Sequence, residues 1–161
     1  MDWFVRAFLK SSLAWLALGV SLGVAMAAYP PLTIHRVAHM HMTLLGFVTM
    51  MIFGVAYHVV PRFAGIPLHR RRLAGVHWWL SNFGLALMVA GFVVRTWSPR
   101  WGTPVLATGG TLSALGAYLF VWIVWRTVDG PWTRPDAELH ARSLAGARRR
   151  APLPSHPAGA S

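Results

Sequence analysis

With 161 residues, 55% of them hydrophobic, nine Trp and only four acidic side chains, the chain is too apolar for an ordinary soluble domain and reads as a small integral membrane protein. The absence of Cys excludes disulfides, thiolate metal sites and iron-sulfur clusters, and leaves His, Met and Tyr as the metal ligands available. The net charge of +11 sits at the ends of apolar runs instead of alternating with aromatics on a polar face, so it is a topology signal and argues against nucleic acid as a partner.

Residues 1–10 read as a short amphipathic, basic lead in which Trp3 and Phe4 suit a membrane interface. Residues 11–28 form an apolar run just long enough to span a bilayer. Ala25-Met26-Ala27 resembles a small-residue cleavage site, but the run is read as a first membrane helix. Tyr29-Pro30-Pro31 ends it, because two prolines cannot continue a helix and bias the preceding residue toward extended backbone. A second helix is expected over 34–60, ending at Pro61, and the basic, Pro- and Gly-punctuated stretch 61–72 is a tight loop. The third and fourth spans are expected over 73–95 and 103–126, with Trp122 and Trp125 as an aromatic belt. The fold class is therefore all-α, a four-helix transmembrane domain over 1–128. Residues 129–161 read as a basic, disordered tail whose Arg148-Arg149-Arg150 cluster suits anionic lipid.

Orientation follows from the cations. Twelve of the 15 lie in the lead (Arg6, Lys10), the middle loop (Arg62, Arg70, Arg71, Arg72) and the tail region (Arg126, Arg134, Arg142, Arg148, Arg149, Arg150). Only Arg36, Arg95 and Arg100 fall on the other face. The positive-inside rule then places both termini in the cytoplasm of a bacterial inner membrane.

That orientation sets the depth of the histidines. His35, His39 and His41 lie near the outer end of the second helix, whereas His58 and His77 lie near the cytoplasmic ends of the second and third. Intramembrane imidazoles are functional by default. At 1.5 Å per residue His39 and His58 are about 28 Å apart, too far to serve one cofactor. At 100° per residue His39 and His41 point about 200° apart, so one helix offers a ligand on each of two sides. Zinc or copper wants three or four converging ligands, which this divergent pair does not supply. Heme iron takes one or two axial ligands, and a Met- and aromatic-lined setting suits it. Its propionates need cations, and Arg36, Arg95 and Arg100 are the arginines at that level. Thioether attachment is excluded because there is no Cys. His35 also reads as an interfacial histidine, and His58 and His77 as either a proton-handling pair, a second heme site or belt residues.

The run VAHMHMTLLGFVTMMIFGVAYHVVPRFAGIPL, followed by LAGVHWWLSNFGL, resembles the tenth and eleventh helices of subunit I of the heme-copper oxidases over about residues 33–95. In that family an AHxH pair opens the tenth helix. The resemblance implies that His39 matches the ligand of the high-spin heme and His41 that of the low-spin heme, and that Arg95 and Arg100 occupy the propionate-binding loop. The family's copper ligands and cross-linked tyrosine come from helices that have no counterpart here, so copper is not expected from this chain alone. Subunit I is built from three similar arcs of four helices. One arc is what this chain resembles, and a homotrimer would rebuild the whole, with His39 of one copy and His41 of the next approaching one heme from opposite sides.

The reading is a heme b-binding membrane protein for electron transfer or for binding a gas such as oxygen or nitric oxide, with a redox partner possible on the outer face. Two alternatives stay open: an oxidase-like subunit that acts only beside a chain supplying copper ligands, and a cofactor-free membrane scaffold.

Overall fold

The computed structural model describes residues 1–65 and 67–128; the expected basic tail lies outside the described residues. Four helices form the unit: α1 (Trp3–Ala28), α2 (Pro30–Phe63), α3 (Arg71–Arg95) and α4 (Pro99–Val128). Each is long and apolar enough to cross a membrane, and no strand occurs among the described residues.

α1 begins at Trp3, so the amphipathic lead is part of the span instead of a separate interfacial segment. No breaker separates Trp3 from Ser11, and Phe4, Val5 and Phe8 are buried against the rest of the unit. The Phe4 ring meets Tyr57 at 5.8 Å and the Phe8 ring meets Phe53 at 5.9 Å between centroids, both edge-on. Tyr29 then adopts extended backbone, as a residue before Pro should, and closes α1.

α2 passes through four winding regimes. A 3-10 stretch, Pro30–His35, gives way to an α-helical stretch, Arg36–His41, then a π-helical stretch, Met42–Thr49, and finally an α-helix, Met50–Phe63. In the π stretch the Met50 N–H reaches back to the Leu45 carbonyl, and the Thr49 hydroxyl donates to the Leu44 carbonyl at 2.8 Å. The widened turn carries Gly46 into a gap that no side chain would fit. A Cβ at Gly46 would lie 2.6 Å from Trp15 Cβ on α1 and 2.9 Å from Leu85 Cδ2 on α3. Wide turns of this kind occur mostly as local insertions, often at functional sites. The helix continues through Pro61 to Phe63, past the end read from sequence. Pro61 stands in the last turn, where its missing N–H removes one bond and leaves the Ala64 N–H to Val60 carbonyl bond (2.9 Å) intact. Gly65, with φ +66°, then takes the left-handed conformation that glycine reaches most easily.

α3 and α4 approach most closely, through glycines. A Cβ at Gly109 would lie 2.7 Å from the Gly84 carbonyl oxygen, and one at Gly91 2.6 Å from Leu106 Cα. These are backbone atoms, so neither contact could yield without parting the helices. α1 is tied to α3 by side chains instead. Trp15 Nε1 donates to Asn82 Oδ1 at 3.2 Å and Trp78 Nε1 donates to Ser11 Oγ at 3.2 Å, while within α3 the Asn82 Nδ2 donates to the Trp78 carbonyl at 2.9 Å and orients the amide. In an apolar medium such bonds have no water competitor, and each contributes about 0.6 to 2 kcal/mol.

The start of α1, the α2–α3 connection and the end of α4 share one end of the unit. Arg71 pairs with Asp2 there, and the His69 N–H donates to Thr127 Oγ1 at 3.1 Å. The α1–α2 and α3–α4 turns form the opposite end.

Candidate functional site

The AHxH pair lies on the α-helical segment of α2, directly before the π stretch. His39 turns toward α1, where its Nδ1 is 2.9 Å from the Gly19 carbonyl oxygen and its ring covers Gly23. His41 turns toward α3. Its Nδ1 is 2.8 Å from the Val37 carbonyl oxygen and its ring meets Phe92 at 4.8 Å. A carbonyl only accepts, so both Nδ1 atoms carry the proton. The bond to the backbone holds each ring's orientation and leaves Nε2 as the nitrogen that faces away from it. This is the arrangement by which an outer hydrogen bond fixes a metal-ligating histidine.

No hydrogen bond to either Nε2 occurs among the described residues, and neither atom is among the enclosed unpartnered ones. Thr43 Oγ1 donates to the His39 carbonyl at 3.0 Å and steadies the backbone where the winding changes. Two imidazoles on one helix thus face two different neighbours, each with its Nε2 open. No group of three or more His, Asp or Glu capable of holding a metal ion is found among the described residues.

Arg36 begins the α-helical stretch that carries the pair, Arg95 closes α3 one turn beyond Phe92, and Arg100 lies in the first turn of α4. All three are exposed at the histidine end of the unit. Arg100 stacks over the Trp101 ring at 5.8 Å, which holds its stem. The one ion pair among the described residues, Asp2 with Arg71, is at the other end.

No protein-family profile matches the chain. It is 33% identical to the Streptomyces coelicolor protein named "Putative cytochrome c oxidase subunit 1-beta", over 71% of this chain and 25% of that protein. It is 27% identical to the Cbb3-type cytochrome c oxidase subunit CcoN1 of Stutzerimonas stutzeri, over 78% and 33%. With cytochrome c oxidase subunit 1 of Corynebacterium efficiens the identity is 30%, over 66% and 23%. This is a heme-copper oxidase subunit I-like chain. It is a multi-pass membrane protein of four apolar helices, and it spans between about a quarter and a third of the length of those curated relatives.

The other histidines of the subunit I-like chain fall into different environments. His35 ends the 3-10 stretch, half-buried, with an enclosed Nδ1 that has no partner. His58 hydrogen-bonds Arg62 one turn on, in an exposed setting. His77 is fully buried, and its Nδ1 lies 2.9 Å from the Tyr57 hydroxyl. His58 and His77 therefore do not pair with each other; each has its own partner. Phe8, Phe53 and Phe120 box the His77 ring at 4.9, 4.6 and 5.7 Å. Sequence reasoning did not single out Tyr57, because a tyrosine in an apolar run next to His58 carries no spacing that points across to α3.

Proposed function

We propose that the chain binds heme b at the His39–His41 end of α2, with each heme held between two copies of the chain. The observation that carries this reading is the pair of imidazoles whose Nδ1 protons are committed to Gly19 and Val37 and whose Nε2 lone pairs open on two sides. One chain cannot direct both at one iron. Two adjacent copies in a ring can, His39 from one and His41 from the next, and cyclic closure of such head-to-tail contacts is ordinary for oligomers. Three copies of a four-helix unit match the helix number of the resembled subunit, so a homotrimer is the favoured assembly.

The donor set fits the group. Neutral nitrogen ligands, a surround containing Met42 and Phe92, and three exposed arginines at the same end suit an iron porphyrin with two propionates. Bound heme would supply one-electron redox chemistry or a site for a diatomic gas. The chain's own residues orient the ligands and offer Arg36, Arg95 and Arg100 to anionic groups. With the orientation read from the cations, this end faces the outside of a bacterial inner membrane, both termini are cytoplasmic, and a redox partner would approach from outside.

A reduced-minus-oxidised visible spectrum with a pyridine hemochrome assay tests the reading on the purified protein, alongside His39→Ala and His41→Ala. Sharp b-type bands in the parent that disappear in both variants are expected. A colourless parent expressed with ample heme would replace this reading with the scaffold alternative.

A further inference from the structure

An open cavity of about 210 Å³ lies at the end of the unit that carries the α2–α3 connection. Asp2 before α1, His58 and Arg62 in the last turns of α2, and Arg71 at the start of α3 are its charged and polar walls, with Pro61 and Leu68 among the apolar ones. On the same measure a water takes about 10 to 15 Å³, so there is room for a phosphate group with several waters beside it.

The charges in this lining do not cancel. Asp2 is the one acidic residue among those described, and its carboxylate pairs with Arg71. Arg62 donates to His58 Nε2 one turn back, which holds the guanidinium in place but commits only one of its donors. No carboxylate among the described residues pairs with Arg62. Arg62 and Arg71 against Asp2 therefore leave one positive charge over, and Arg70 and Arg72 stand exposed on either side of Arg71. An anion with a single negative charge and several acceptor oxygens matches that remainder, and guanidinium groups suit phosphate oxygens.

The surroundings point to a lipid as the source of the phosphate. Trp3 opens α1 beside the cavity, packs on Gly75 and meets Trp78 edge-on at 6.4 Å, the placement of a tryptophan at headgroup level. Phe63, next to Arg62 at the end of α2, is 89% exposed. Free phosphate makes no use of a bare phenyl ring, whereas the acyl chains of a phospholipid cover one. We propose that this cavity binds the phosphodiester of an anionic phospholipid from the leaflet at the α2–α3 end, Arg62 and Arg71 donating to its oxygens and Phe63 lying against its chains. Basic pockets of this kind hold lipid headgroups at membrane surfaces. The site is separate from the His39–His41 end and does not depend on what that end binds.

Native mass spectrometry of the full-length, delipidated protein, titrated with phosphatidylglycerol, phosphatidylcholine or inorganic phosphate, tests it. The parent is expected to hold its first phosphatidylglycerol more tightly than phosphatidylcholine. Arg62→Gln should weaken that binding by about tenfold or more, the scale of a hydrogen bond between charged groups. Arg72→Gln removes the same charge outside the cavity lining and should weaken it by about fivefold or less, the scale of one surface charge near anionic lipid. A parent that does not distinguish the two lipids, or an equal loss in the two variants, reduces the cluster to diffuse surface charge and overturns the site. Inorganic phosphate that displaces phosphatidylglycerol at comparable concentration overturns the lipid as occupant.

Discussion

The two ends of the four-helix unit are built to different specifications. At the α2–α3 end the chain completes itself: aromatic rings from α1, α2 and α4 box His77, Asp2 pairs with Arg71, and the connection is pinned to Thr127. At the other end, two histidines are fixed in orientation with their Nε2 atoms left open, and three arginines stand exposed without an ion pair among the described residues. It is on this contrast that the proposed heme site rests. The π stretch separates the two regimes, so the winding of α2 sets the histidine face independently of the Tyr57 face.

Substitutions can break or sharpen that contrast. The largest effect is expected in the α3–α4 seam, where Gly109→Leu forces side-chain atoms onto the α3 backbone and should cost 3 kcal/mol or more, on the order of severe overpacking. Gly110→Ala, whose Cβ would meet only Met88 Cε at 3.9 Å, is the control and should be nearly neutral. Thermal unfolding in detergent compares them. Tyr57→Phe removes the one bond made by His77 Nδ1 and should destabilise by about 1–3 kcal/mol, read in the same way. Asn82→Ala unties Trp15 from α3 and should cost about 1 kcal/mol, with a red shift in tryptophan emission as Trp15 loosens. Arg71→Ala, at an exposed ion pair, should change stability by about 0.5 kcal/mol or less. By contrast, His41→Ala, whose Nδ1 bond stays within its own helix, should change the unfolding of the isolated chain least, whereas His39→Ala loses the bond to Gly19 on α1 and should cost about 1 kcal/mol; on the proposed function both abolish heme binding.

Much of this was readable in the residues. Two histidines two positions apart in an apolar helix must diverge, and the structure places them toward α1 and α3. The prolines after Tyr29 had to end a helix, and Tyr29 is extended. Gly84, Gly91 and Gly109 are where α3 and α4 meet, small residues being what lets membrane helices approach closely. The π stretch was not legible, because it depends on Trp15 and Leu85 closing around Gly46, a tertiary event with no local signal. Nor was the helicity of residues 3–10, since an amphipathic lead looks the same whether Phe4 and Phe8 meet lipid or Tyr57 and Phe53. The Tyr57–His77 bond joins residues 20 apart across a loop, and only the approach of α2 to α3 reveals it.

Native mass spectrometry of the detergent-released protein tests the central claim most directly, because it reads copy number and heme content in one species. The account predicts a trimer that carries heme, and loss of heme when the trimer is dissociated into single chains. A monomer retaining its full heme content would contradict it.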